Sequence, residues 1–561
     1  MRGKTERKTY EQVVKVFKPN RAKLITHNFG TRAVSLKVTD ENGKVVRASK
    51  KIVNNNRIRV TVYDTIVNAK IQLRGTAAAK RPVINRVGEG FLKALMGIRN
   101  IKFEYNRTQG SMLSGFLPEP SYFGMTNFSF NGAPGLGFVL GKQDEDFLEE
   151  AVKKNYLLQD NIVNEPYLMT REERFTLRST IEPIRSLRIT LTANREYFDN
   201  NSQYYSFDKN GQFSKGKLFR TGNLSMSYLS LKSSFFNISD RNTYDSKSFD
   251  KFLSARQGIS EQLAKEHYGD AYRSKYNSET GYYEAFGPTA QDVLIGAFHE
   301  AYGGKRKGLL PNVSQILPNW KITYSGLNAV PAMKKIFKRI NIDHSYKSTY
   351  NVGGYTTNLD YDGTDVLNNR GDLVPEIEVN SITIDERMEP LLGLKMEWQN
   401  NLTTNVSINR GHLMQLNVGS GMLNESANSE WVFDFGYRFE DVNLFVGKSH
   451  KSRKFKNDLR ILAGFTLRKD YTILRQLFDG ESQLTAGQES FLYKLAADYA
   501  LSDRLNVRLF YDRTVRNPYI SRSFPSIVSN VGFSVRFNFT DFEKEYRPFA
   551  SRKKKRIAKG N

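Results

Sequence analysis

The chain has 561 residues, 84 Lys and Arg against 58 Asp and Glu, and no Cys, so disulfides, thiolate metal sites and thiol nucleophiles are excluded. Aromatic residues reach 12%, and no stretch holds the roughly 20 apolar residues that a membrane-spanning helix needs. Membrane-spanning strands, which need only about 9 to 11 residues of alternating character, stay open. The formal charge of +26 permits polyanions or lipopolysaccharide as partners without choosing among them.

In chain order, residues 1–10 (MRGKTERKTY) are charged and hold no apolar core of a secretory signal, so an outer-membrane protein starting here is expected to be a fragment. Runs at 33–39 and 57–62 read as strands around the turn Asp40-Glu41-Asn42-Gly43, and residues 1–93 are expected to form a small β-rich region preceding or inserted between barrel strands. Residues 94–238 are expected to hold barrel strands and long loops. A short helix is expected at 144–155, where Asp144, Glu145 and Asp146 complement the helix dipole.

From Arg171 the dominant period is two. Phe175, Leu177 and Ile181 alternate with Thr176, Arg178 and Thr180; after Glu182-Pro183-Ile184-Arg185, Leu187, Ile189, Leu191 and Ala193 alternate with polar residues, which reads as a hairpin. Leu224, Met226, Tyr228 and later Trp320, Ile322, Tyr324 read as two strands flanking a helical insertion at 239–318. Its helices show in the spacing of Phe249, Phe252, Ile259 and Leu263, and in Val293, Leu294, Ala297 and Phe298 after Pro288-Thr289. Counting strand directions forward from the Glu182 turn and backward from the last strand puts this insertion on opposite sides, so the count contains one strand too many or too few.

Over 319–542 the alternation becomes nearly continuous. It runs through Leu392, Leu394, Met396; Trp431, Phe433, Phe435, Tyr437, Phe439; Phe491, Tyr493, Leu495; and Val531, Phe533, Val535, Phe537, in strands of about 10 residues with polar loops at 356–382 and 473–488. Residues 543–561 form a basic tail. The expected fold is all-β: a transmembrane antiparallel β-barrel, the C-terminal part of a very large one, in the cell outer membrane. Its apolar face would meet lipid and its polar face water, because hydrocarbon tolerates no unpaired backbone and the sheet must close. Lys494, Arg508 and Arg536 are the candidate lumen-facing residues.

Chemistry has no candidate. His27, His267, His299, His344, His412 and His450 show no metal-site spacing and read as ordinary surface or lumen residues. The segment Gly132–Gly141 lacks phosphate-loop spacing, and no GxSxG occurs. No catalytic, metal or cofactor site is expected, and no nucleic acid. A stand-alone outer-membrane receptor or porin, and a soluble basic β protein binding polyanions, are the competing readings.

Five strings resemble one family: MRGKTERKTYEQVVKVFKPNRAK (1–23), ALMGIRNIKFEYNRTQGSMLSGFLPEP (94–120), LPNWKITYSGL (317–327), HSYKSTYNVG (344–353) and the stretch from Asp498 to Phe537. They are similar to the SprA/Sov family, the outer-membrane translocon of the type 9 secretion system. The resemblance implies the C-terminal portion of a single-chain barrel that passes folded cargo carrying a C-terminal signal domain, in support of gliding motility or surface-protein export. It further implies plug and shuttle subunits and outer-membrane lipid as partners, and energy supplied from elsewhere.

Overall fold

A computed structural model describes residues 5–78, 97–121, 123–127, 132–159, 165–230, 246–303, 310, 316–442, 458–478, 480–500, 505–520 and 523–537. The basic runs at 448–456 and 552–556, the tail 543–561 and the link 501–504 lie outside these residues. The chain divides into two units, Met1–Ala94 and Leu95–Asn561.

The first unit holds β1 (Thr5–Phe17), β2 (Lys23–Thr26), β3 (Val34–Thr39), β4 (Ala48–Asn54), β5 (Arg57–Val62) and β6 (Ile66–Ala78). They pair as two three-stranded sheets, β1-β6-β3 and β2-β5-β4. Alternate residues from both, among them Val14, Val38, Ile58, Val60, Ile71 and Leu73, meet in one apolar core. The turn at Asp40 forms as expected: the Asp40 carboxylate accepts the Asn42 and Lys44 N–H groups, and Gly43 takes a positive φ of 78°. The expected partnership of 33–39 with 57–62 does not form. After the single pair Thr39 and Val45 the chain leaves for the second sheet, and β3 lies along β6 instead. The turn reverses the chain, but the partner is set by the long alternation Ala69, Ile71, Leu73 of β6, which gives Val34 and Val38 a shared core.

His27 is buried in this unit, and its Nδ1 accepts the Phe29 N–H at 3.2 Å. Burial pushes its pKa below the ordinary 6.5. A depressed histidine pKa stabilises the neutral form, so this contribution is complete above about pH 6.5 and is lost as pH falls from there toward the folded pKa. Amide exchange in β2 and β3, corrected for its intrinsic pH dependence, is expected to be faster at pH 5 than at pH 7.5, and His27→Gln should remove the difference.

The second unit is built on one antiparallel sheet of 14 strands. Its elements are β7 (Ile98–Met112), β8 (Tyr167–Ile184), β9 (Leu187–Gln203), the small hairpin β10 (Tyr205–Phe207) and β11 (Phe213–Lys215), β12 (Phe219–Ser227), the two-residue pair β13 (Tyr276–Asn277) and β14 (Tyr282–Tyr283), β15 (Asn319–Tyr324), β16 (Phe337–Thr357), β17 (Ile377–Val379), β18 (Ser381–Trp398), β19 (Leu402–Asn417), β20 (Met422–Phe439), β21 (Leu459–Gln476), β22 (Ser482–Ala500), β23 (Leu505–Pro518) and β24 (Ser526–Phe537). The sheet order is β24-β23-β22-β21-β20-β19-β18-β16-β12-β9-β8-β7, with β15 between β9 and β16 and β17 on β16. β7 and β24 are its two edges among the described residues.

The all-β fold class read from the sequence is thus observed, with differences in detail. The long strands have 12 to 21 residues rather than about 10. The expected loop at 473–488 is only a tight link at 477–481, because β21 runs on to Gln476 and β22 begins at Ser482. Polar residues there, such as Arg475, are ladder members whose partners hide them from a hydropathy pattern.

The strands at 224–228 and 320–324 are not two crossings. β12 pairs with β9 from Ser202 to Arg195, and β15 continues along the same β9 from Thr192 to Leu187. Both also lie along β16, opposite residues 349–356 and 342–346. They are halves of one strand, interrupted by the insertion. Counted as two, they supply the extra strand that reverses the direction count. The missing ladder groups at the gap are replaced by side chains: Ser227 Oγ accepts the Asn194 N–H at 3.0 Å, and Asn319 Oδ1 accepts the Ser348 N–H at 2.7 Å. Asn319→Ala should leave the buried Ser348 N–H unpaired, at a cost of about 1 to 3 kcal/mol, and Ser227→Ala the partly buried Asn194 N–H, at a smaller cost. Faster exchange of the Asn194 or Ser348 amide would measure it.

The insertion carries a long helix, Lys247–Tyr268, and a shorter one, Gln291–Phe298, continued by a π turn. Phe249, Phe252, Ile259, Leu263, Val293, Leu294 and Phe298 pack onto Met226, Tyr350, Ile382, Ile384, Met414 and Leu416 of the sheet. Outward from the sheet the long helix exposes Asp250, Lys251, Gln262, Lys265 and Glu266. The short helix expected at 144–155 is Phe147–Lys153, with Glu149 and Glu150 in its first turn.

Candidate functional site

Directly paired residues share a sheet face, so the register lines side chains up in rows. One row crosses eight strands through Asn341, Lys395, Asn405, Asp434, Gly464, Lys494, Asp512 and Asn530. Beyond an intervening row of Gly436, Leu462, Ala496, Phe510 and Gly532, the next row on the same face holds Arg438, Arg460, Asp498, Arg508 and Ser534, and Arg536 faces Asn506 beside it. All three candidate residues, Lys494, Arg508 and Arg536, therefore lie on one polar face.

The alternation already sets Asp343, Asp434, Asp498 and Asp512 on the polar side of their strands, and the structure adds which cation or amide each one meets. Arg508 reaches Asp498 at 3.5 Å, Lys395 reaches Asp343 at 3.1 Å, Arg339 reaches Glu397 at 3.5 Å, and Asn405 donates to Asp434 at 3.0 Å. Lys494 stands directly across from Asp512. A concavity of about 680 Å³ opens on this face, walled by Arg339, Lys395, Asp434, Lys494, Arg508 and Asp512. Another, of about 270 Å³, joins Asp498, Arg508 and Arg536. The face is a mosaic of both signs rather than a cationic strip. Every one of these groups has the correct parity along its strand, but only the register reveals that they are neighbours.

The opposite face is apolar over the same strands. One row reads Leu392, Ile408, Trp431, Leu467, Phe491, Val515 and Ile527; another reads Tyr437, Ile461, Ala497, Leu509 and Phe533. Between them Phe433, Phe465 and Tyr493 form a row that turns polar at the edge, through Arg513 and Ser529. On β20 the band runs from Trp431 to Phe439, roughly 26 Å along the strand. It reaches both edges, where Phe103 is 64% and Phe533 74% exposed. Monomeric soluble proteins rarely leave contiguous apolar patches beyond a few hundred Å² open to water, and this band spans the whole sheet.

Further along the same face, the insertion takes over as cover. Beneath it lies a buried charged cluster: Glu425 accepts from Arg475 Nε at 2.8 Å and sits 3.0 Å from His412 Nε2, and the Arg475 guanidinium lies 4.6 Å over the Phe249 ring of the long helix. For three of the histidines this corrects the reading as surface or lumen residues. His27, His299 and His412 are buried; His299 bonds the Tyr350 hydroxyl, and His267 faces Asp365. His450 lies outside the described residues. Among the described residues no group of three or more His, Asp or Glu is placed to hold a metal ion. The glycine segment forms a short helical turn, Leu136–Val139; Gly141, at φ 71°, passes so close to β7 that a Cβ would lie 2.5 Å from the Gln109 carbonyl oxygen.

No family model matches the chain, and no curated relative matches it. Among solved structures, the chain shows a likeness to the closed form of the ferric-catecholate import receptor Fiu from E. coli K12, at 8% identity and a TM-score of 0.22. The likeness covers 92% of this chain and 64% of the receptor. A TM-score that low establishes no common architecture.

Proposed function

We propose that the second unit is a stretch of wall from an outer-membrane β-barrel, and that the barrel conducts folded cargo proteins as the translocon of type 9 secretion. The observation that carries the reading is the two-faced sheet: an apolar band on one side and a water-compatible charge mosaic on the other, along the same strands. Lipid satisfies the first and an aqueous passage the second. The two open edges, β7 and β24, are compatible with further strands completing a larger ring, as the five strings that resemble the translocon family imply. On this reading the insertion stands on the outer side of the wall, beyond the lipid, since it covers the apolar face and turns charged residues outward.

The mosaic suits a passage for proteins of varied surface. Paired charges keep water bound without presenting a field of one sign that would trap an oppositely charged cargo. Secreted proteins with a C-terminal signal domain, and plug and shuttle subunits, are the partners this function requires. Reversing Lys494, Arg508 and Arg536 together to Glu is expected to change the secreted amounts of cargo severalfold while detergent-stable, heat-modifiable migration of the parent barrel is kept. Unchanged secretion with the barrel intact would refute the passage role of this face.

A further inference from the structure

We propose that Arg107, Arg171 and Arg195 form a binding site for the phosphate group of a membrane lipid, at the edge of the apolar band on β7 to β9. The inference rests on the apolar face being the lipid-facing one.

The site is built from position first. On β7 the apolar face presents Ile101, Phe103 and Tyr105, all well exposed, and the next residue on that face is Arg107. On β8 the same face presents Leu177 and Phe175 and then Glu173 and Arg171; Arg107 is paired with Glu173, and Phe175 with Arg195. Acyl chains lying on Phe103, Tyr105 and Phe175 would therefore bring their headgroup to these arginines: Arg195 is level with Phe175, and Arg107 is about 7 Å beyond Tyr105 along β7.

The charge balance points to an anion. The single carboxylate Glu173 is shared by three guanidinium groups: Arg171 Nη2 at 3.0 Å, Arg195 Nη1 at 3.4 Å and Arg107 Nε at 3.9 Å. Asp199, across the ladder from Arg171, is already engaged by the Tyr355 hydroxyl at 2.8 Å. Counting both acids, one positive charge remains uncompensated.

The Arg195 side chain is only 8% exposed, and its Nε has no hydrogen-bond partner. A buried guanidinium donor left unpaired is costly, and a ligand oxygen would satisfy it. The groups are also held in place: the Arg171 and Arg195 guanidinium groups lie 5.2 and 5.1 Å from the Tyr197 ring, while Arg107 and Arg171 keep access to solvent. Planar forks fixed on a ring present paired donors to a tetrahedral oxyanion, which lysine does not.

The test uses the full chain in detergent, titrated with short-chain phosphatidic acid, short-chain phosphatidylcholine or inorganic phosphate, with bound mass read by native mass spectrometry. Retention of phosphatidic acid in preference to phosphatidylcholine is expected. Arg107→Gln with Arg171→Gln should weaken it at least roughly tenfold, and Arg174→Gln, on the polar face, should leave it unchanged. Both arginines of the variant are partly exposed, so folding is checked by heat-modifiable migration, and the loss counts only with that migration kept.

Equal retention by the variant and the parent, or equal retention of the two lipids, overturns the site. Inorganic phosphate binding as tightly as phosphatidic acid overturns the lipid assignment in favour of a free anion. A chain that is monodisperse without detergent and retains no lipid would instead overturn the membrane reading itself.

Discussion

Replacing Phe435 by Arg is expected to destabilise the membrane-inserted chain by about 2 to 4 kcal/mol, the cost of a cation near the bilayer midplane on the lipid side of a barrel. Phe435 lies at the centre of the band from Trp431 to Phe439, and its ring meets Phe465 edge-on at 6.5 Å. Its immediate neighbour Asp434 points to the other face, where Asn405 bonds it. Asp434→Asn should therefore cost well under 1 kcal/mol, since it exchanges one hydrogen-bonding group for another in contact with water. The two variants, one residue apart, differ only in the face they alter. Urea midpoints of the parent barrel refolded into liposomes measure both, and equal midpoints would end the lipid-facing assignment.

The second large effect concerns Arg475. This guanidinium is 1% exposed and donates to Glu425, itself fully buried, through Nε at 2.8 Å and Nη2 at 2.7 Å. Arg475→Met leaves the carboxylate with only the His412 ring and the Ser246 hydroxyl beside it, and breaking a buried pair in this way costs about 3 to 5 kcal/mol. The cation also sits over Phe249, so the loss should loosen the long helix of the insertion from the sheet. Limited proteolysis is expected to release the insertion from the variant under conditions that spare the parent. Combining it with Glu425→Leu removes the stranded charge, and much of the stability should return. If the double variant is no better than the single one, ion pairing is not what anchors the insertion.

What could be seen in the amino-acid order follows from how local each signal is. Alternation such as Trp431, Phe433, Phe435, Tyr437, Phe439 states which residues share a face, because a strand's side chains must alternate, and no partner is needed to say so. The same reasoning placed Lys494, Arg508 and Arg536 on one polar face. It misread 473–488, where Arg475 looks like a loop residue until Glu425, 50 positions earlier, is laid beside it.

By itself, then, the sequence determined the period, most of the strand segments and the helical spacing of the insertion, all set within a few residues by backbone geometry. Only the tertiary structure decided which strands are neighbours, that β12 and β15 are one crossing mended by Ser227 and Asn319, that cations on the polar face meet carboxylates, and that three arginines converge on Glu173. Those facts depend on register, and register is settled by side chains far apart in the chain, whose arrangement pairs most buried polar groups while gathering the larger apolar band on one face.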